Sequence, residues 1–124
     1  MKVNVVYHPD VVDADAHESM ATAAARMREN DVSSLAVMQD GDLIGIVSER
    51  DVVQTVADGV SPGRAEVGQY MTEHPATANI DEDSAVVARR MIDLGIRHLP
   101  VVDHGGVVGV VSARDLLNLE AWKS

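Results

Sequence analysis

Two short phrases hold the residues of this chain best suited to chemistry. They are Gly45-Ile46-Val47-Ser48-Glu49-Arg50-Asp51 and, 64 positions later, Gly109-Val110-Val111-Ser112-Ala113-Arg114-Asp115. In each, an apolar run passes into Ser-x-Arg-Asp, the pattern of a strand crossing into the first turn of a helix. The serine then stands at the N-cap and the aspartate at the third helical position. Its carboxylate can turn back to the cap amide in a capping box. The same helix end is also an anion site, because its unpaired N–H groups can hold a phosphate. A carboxylate beside it can accept both hydroxyls of a ribose, as the acidic residue of dinucleotide folds does. Either phrase therefore reads as an ordinary helix cap or as the phosphate and ribose ends of a nucleotide site.

Other chemistries find little support. The five histidines (His8, His17, His74, His98, His104) show no metal-ligand spacing, and His104 sits in a turn as a surface residue. There is no Gly-x-Ser-x-Gly elbow, P-loop or Gly-x-Gly-x-x-Gly, so no catalytic residue, metal site or required cofactor is expected. With no cysteine, disulfides and thiol chemistry are excluded and a cytoplasmic setting fits. The net charge of −10, from 20 acidic residues against 10 basic ones, argues against a nucleic-acid or anionic-membrane surface. Lysine is scarce among the basic residues, which fits either a solvated acidic surface or a halophilic protein. No apolar stretch approaches the roughly 20 residues of a membrane helix. The opening MKVNVVYHPD meets Pro9 and Asp10 too early for a signal peptide.

The elements that position the two phrases are themselves repeated. Ala14–Val53 aligns with Ala78–Leu117 without a gap, and 14 of the 40 pairs are identical, including Glu18/Glu82, Arg26/Arg90 and Leu35/Leu99. The chain is an internal duplication. In repeat two, Asp81 or Asp83 caps a helix over Ser84–Leu94 with Val86, Val87, Met91 and Leu94 inward, closed by Gly95 in a left-handed C-cap. Strands His98–Val102 and Val107–Val111 form an antiparallel hairpin through Asp103-His104-Gly105-Gly106, and Ser112 caps a last helix over Ala113–Trp122. Repeat one gives helix Glu18–Asn30, strands Leu35–Gln39 and Leu43–Val47, and helix Glu49–Ala57. The expected division is 1–58 for repeat one, 59–70 for a linker with a short helix over Ala65–Met71, and 71–124 for repeat two. With 46% hydrophobic residues and no Phe, the core must be aliphatic. Units of about 55 residues bury too little surface alone, so the copies should pack together about a pseudo-twofold axis into one module.

The whole pattern resembles a tandem pair of CBS domains, the Bateman module. The residues that carry it are the two Gly-x-x-Ser-x-Arg-Asp phrases, the strand Arg97-His98-Leu99-Pro100-Val101-Val102-Asp103 and the Thr77 segment, all inside the duplication. The resemblance implies an α/β fold of α+β type built from two β-α-β-β-α units. It also implies a regulatory module that binds AMP, ADP, ATP, S-adenosylmethionine or an NAD-type molecule between the repeats and acts on another protein. Carried onto repeat two, it makes Asp115 the ribose ligand and Ser112 the hydroxyl near the phosphate. Thr77 opens the first strand, Leu99 and Pro100 hold the adenine, and Arg97 and His98 face phosphate, with Arg114 adding charge. Repeat one keeps Ser48, Arg50 and Asp51 but has Ser33, Ser34 and Ala36 in place of Arg97, His98 and Pro100. Its pre-helix segment Asp10-Val11-Val12-Asp13 offers no Thr, so repeat two is the expected ligand site. A homodimer and a regulated partner in trans complete the expectation. The rival reading is a dimerising or docking scaffold that binds no nucleotide.

Overall fold

The computed structural model describes residues 1–5, 7 and 13–123, the last four of these as backbone alone. The Asp10-Val11-Val12 stretch and the Trp122 side chain lie outside the described residues. The chain divides into two compact units, Val12–Pro75 and Met1–Val11 with Ala76–Ser124.

The unit holding repeat one runs β1 (Asp13–Ala14), α1 (Met20–Asn30), β2 (Ser34–Gln39), β3 (Asp42–Ser48) and α2 (Glu49–Ala57), followed by α3 (Val67–Tyr70) and β4 (Thr72–Glu73). Its sheet has the order β1-β2-β3-β4, with β1 parallel to β2 and the other pairs antiparallel. The unit holding repeat two runs β5 (Ala78–Asn79), α4 (Ser84–Leu94), β6 (His98–Asp103), β7 (Gly106–Ser112) and α5 (Ala113–Lys123), in a sheet of order β5-β6-β7. A 3₁₀ turn at Val3–Val5 belongs to this second unit. Each unit therefore contains the β-α-β-β-α order, and the fold is mixed α and β as expected.

Local chemistry places these elements. Asp83 caps α4 by accepting from the Ala85 amide at 2.8 Å, and Ser19 caps α1 by accepting from the Thr22 amide at 3.1 Å. Both helices close with a left-handed residue, Gly95 at φ 66° in one and Asp31 at φ 52° in the other. The hairpin turns have two consecutive positive-φ residues, Asp40-Gly41 and His104-Gly105, the geometry that matches the twist of tight hairpins. Each hairpin carries a bulge at the same repeat position, after Val37 and after Val101.

Alternation along the strands sends one face into the core. Leu35, Val37 and Val47 bury with Met20, Ala23 and Met27 in one unit; Leu99, Val101 and Val111 bury with Val87 and Met91 in the other. Val86 and Leu94, expected inward on α4, are exposed instead. The buried stripe is Ser84, Val87 and Met91, one turn apart, and the two residues flank it.

The segments that precede the repeats are exchanged. Ala65 and Val67 are buried in the first unit, where the Met20 amide donates to the Ala65 carbonyl at 2.8 Å and the Val67 amide to Glu18 at 2.9 Å. Met1 and Val3, 64 positions earlier, make the same bonds to the second unit: Ser84 amide to Met1 carbonyl at 2.6 Å and Val3 amide to Glu82 carbonyl at 2.9 Å. The short helix that leads toward repeat two is thus packed on repeat one, and the chain start is packed on repeat two.

Candidate functional site

Ser112 and Asp115 sit where β7 turns into α5. The Ser112 amide donates to Asp115 Oδ2 at 2.8 Å, and the Asp115 amide donates back to Ser112 Oγ at 3.1 Å, so the capping box is real. The Ala113 amide donates to the Arg97 carbonyl at 2.7 Å, which ties the start of β6 to the same helix end. In repeat one the Ser48 amide and hydroxyl both donate to Asp51 Oδ2, at 2.8 and 3.2 Å, and the Glu49 amide donates to the Ser33 carbonyl at 3.0 Å. Local capping therefore accounts for the orientation of both aspartates. It does not exhaust either carboxylate, which has two oxygens and several acceptor positions.

Sheet register decides what accompanies them. His98 pairs with Ser112, and Pro100 with Val110, across β6 and β7. Directly opposed residues share a face, so His98, Pro100 and Ser112 line one face of the sheet at the α5 N-terminus. His98, Ser112 and Asp115 are half-buried, while the backbone of Arg97 joins the group and its side chain is exposed. Arg114 is exposed on the helix surface. Leu99 points the opposite way, fully buried in the core with Val87 and Val111, and Pro100 on the site face is fully buried as well. Thr77 is half-buried immediately before β5. In repeat one the same face carries Ser34 and Ala36 opposite Ser48 and Ile46, with Arg50 exposed.

A pair of ion-pair clamps holds the pre-strand segments and was not singled out by motif. Arg90 bonds Glu82 through both terminal nitrogens, and its Nη1 also donates to the Thr77 carbonyl at 2.8 Å. Arg26 does the same with Glu18 and the Asp13 carbonyl, at 2.6 Å to the latter. Hydrogen bonding to Glu82 raises the Arg90 pKa, and the bond from Arg90 holds the Glu82 carboxyl below its ordinary value despite partial burial. Bonding to Glu18 likewise raises Arg26. The sequence signal was there, since both residues are identical across the 64-residue offset. Their role as positioners of Thr77 and Asp13 required the fold.

Among the described residues, no group of three or more His, Asp or Glu is placed to hold a metal ion, and no helix is long and apolar enough to cross a membrane. His104 lies on the hairpin turn with Nδ1 at 2.9 Å from Asp103 Oδ1, exposed to solvent.

The family model for the CBS domain matches the chain twice, at residues 4–58 and 67–121. An uncharacterised protein of Methanopyrus kandleri is 31% identical over 125 residues, covering 98% of this chain; the chain spans 64% of that relative's length. A putative signal-transduction protein with CBS domains from Burkholderia ambifaria superposes with TM-score 0.90 at 24% identity, covering 100% of this chain and 96% of its own. A crystallised CBS domain pair in complex with 5′-methylthioadenosine and S-adenosyl-L-methionine superposes with TM-score 0.85 at 26% identity, covering 100% and 98%.

Proposed function

The chain belongs to the CBS-domain family, and on that premise we propose that it is a regulatory module that binds an adenosine-containing ligand through repeat two and acts on another protein. The observation that carries the reading is the shared face of His98, Pro100 and Ser112 beside the α5 N-terminus and Asp115. The buried Pro100 for a base, the Asp115 carboxylate for a ribose, and the positive end of the α5 dipole with the exposed Arg97 side chain for phosphate are carried at this end of the sheet. The related domain pair that binds methylthioadenosine and S-adenosylmethionine supports the adenosyl class. AMP, ADP, ATP, S-adenosylmethionine and NAD-type molecules are the candidates, acting as regulatory ligands in a cytoplasmic, non-enzymatic protein.

The test is titration calorimetry and thermal melting with that panel, on the wild type and Asp115→Ala. A ligand at 100 times its Kd adds roughly 2.7 kcal/mol of stability. Losing charge-assisted bonds to the ribose weakens binding by roughly ten- to 150-fold. Flat titrations across the panel would remove this reading and leave the ligand-free scaffold.

Exposed apolar residues favour self-association in either case. Val53 and Val56 on α2, Val86, Ile92 and Leu94 on α4, and Leu117 on α5 are all more than half exposed. A homodimer covers such helix faces. Light scattering at micromolar concentration should give about twice the chain mass of 13.3 kDa, and the monomer mass would refute the dimer.

A further inference from the structure

The segment that joins the two repeats is bound to repeat one as a strap across the turn that carries β1 into α1. The Met20 amide donates to the Ala65 carbonyl at 2.8 Å, and the Ala21 amide to the Pro62 carbonyl at 2.9 Å. In the other direction the Val67 amide donates to Glu18 at 2.9 Å and the Gly68 amide to Ala16 at 2.8 Å. Ser19 and Glu66 form an antiparallel bridge between the two segments. Met20 and Ala21 are the first residues of α1, and their amides have no acceptor within their own helix. The strap therefore completes the cap of α1. In repeat two the amide matching Ala21 is that of Ala85, which bonds the side chain of Asp83 instead.

Two apolar anchors and one polar contact hold the strap down. Ala65 and Val67 are buried in the core of the unit, while Ser61, Gly63, Arg64, Glu66 and Gln69 are exposed. At the far end the Tyr70 hydroxyl donates to Asp58 Oδ2 at 3.1 Å, and Gln54 Nε2 donates to Oδ1 of the same carboxylate at 2.8 Å. Asp58 is the C-cap residue of α2, where a negative charge meets the negative end of the helix dipole. A carboxylate there is costly to α2 and useful only through its partners. Its bond to Tyr70 ties together the two ends of the loop over 59–69. The counterpart of Asp58 in repeat two is Trp122, so that repeat has no matching carboxylate.

We propose that residues 61–70 form a latched strap, a unit that opens from repeat one in a single step, with the Tyr70–Asp58 bond as its latch. Open, it uncaps α1, uncovers the core around Met20 and frees the turn between β1 and α1. The connection between the repeats thereby controls the order of repeat one and leaves repeat two unchanged. The inference stands apart from ligand binding.

The experiment is amide hydrogen exchange, followed by NMR, on the full chain without ligand. The Met20, Ala21, Val67 and Gly68 amides should share one opening equilibrium, easier than that of the β6 and β7 amides. Tyr70→Phe keeps the ring and removes the hydroxyl. It should speed exchange at all four amides by one common factor, roughly three- to thirtyfold, and leave Val3 and Ser84 unchanged. Trypsin cleavage after Arg64 should accelerate by the same factor, because cleavage tracks the open population. Beside Asp58→Asn, which already removes the charge-assisted bond, Tyr70→Phe should have a smaller effect. Four unrelated exchange rates, or no acceleration in Tyr70→Phe, would overturn the proposal. So would an equal acceleration at Val3 and Ser84, or a Tyr70→Phe effect undiminished beside Asp58→Asn.

Discussion

Replacing Arg90 by Met keeps the aliphatic stem and removes the guanidinium that clamps α4 to the segment before β5. Three hydrogen bonds disappear, two to the Glu82 carboxylate and one to the Thr77 carbonyl. A protected charge-assisted bond contributes about 1.5–3 kcal/mol, whereas an exposed ion pair contributes under about 1 kcal/mol. The Arg90 and Glu82 side chains are 28% and 27% exposed, which places the pair between these limits. The expected loss is about 2 kcal/mol, or roughly 6–10 °C in melting temperature for a chain of this size. Glu82→Gln keeps an acceptor for the Asn79 amide, which donates to Glu82 at 2.8 Å. Combined with Arg90→Met it closes a double-mutant cycle, and a coupling of about 1 kcal/mol or more is expected.

The pH dependence supplies an independent check. The bond from Arg90 lowers the Glu82 pKa from its ordinary 4.5, outweighing burial. A depressed carboxylate contributes stability that is present above the unfolded pKa and lost as pH falls through the folded value. The gap between wild type and Arg90→Met should thus be constant from pH 7 down to about 5 and shrink below about 4.5. A melting difference under about 0.5 kcal/mol at pH 7, or a gap unchanged through that acid range, would refute the clamp as a stabilising element.

Three further outcomes follow from the geometry. Gly45→Ala places a Cβ 2.6 Å from Met71 Sδ and 3.0 Å from the Thr72 carbonyl, so pairing of β3 with β4 should suffer, with a loss of about 1–3 kcal/mol by chemical denaturation. Gly95→Ala meets open space but must hold φ near 66°, and a loss of about 1 kcal/mol should appear in the same assay. If the surplus of acidic residues is a halophilic trait, molar KCl should raise the melting temperature, and an unresponsive midpoint would leave it as an ordinary solvated surface.

The elements that the sequence determined are those whose cause is local. Asp83 before α4, Gly95 after it, and the Asp40-Gly41 and His104-Gly105 turns each act within a few residues, so helices and hairpins fall close to their expected places. The duplication was equally legible, because it needs only the chain compared with itself. The Ser-x-Arg-Asp phrases announced both a cap and a candidate site, and the cap is present in each repeat.

Tertiary structure decided what depends on partners distant in sequence. The two-residue strands β1, β4 and β5 are too short to show any periodicity and exist only through pairing with β2, β3 and β6. Nothing in Ala65–Val67 says which repeat it should join; its burial in the first unit, and that of Val3 in the second, is a choice between two nearly equivalent cores. Hydrophobicity alone sent Val86 and Leu94 inward, but only the packed orientation of α4 selects Val87 and Met91. The facing of Ser34 and Ser48 across the β2-β3 hairpin is tertiary in the same way, because strand register, bulge included, is set by the paired strands and their core rather than by either serine.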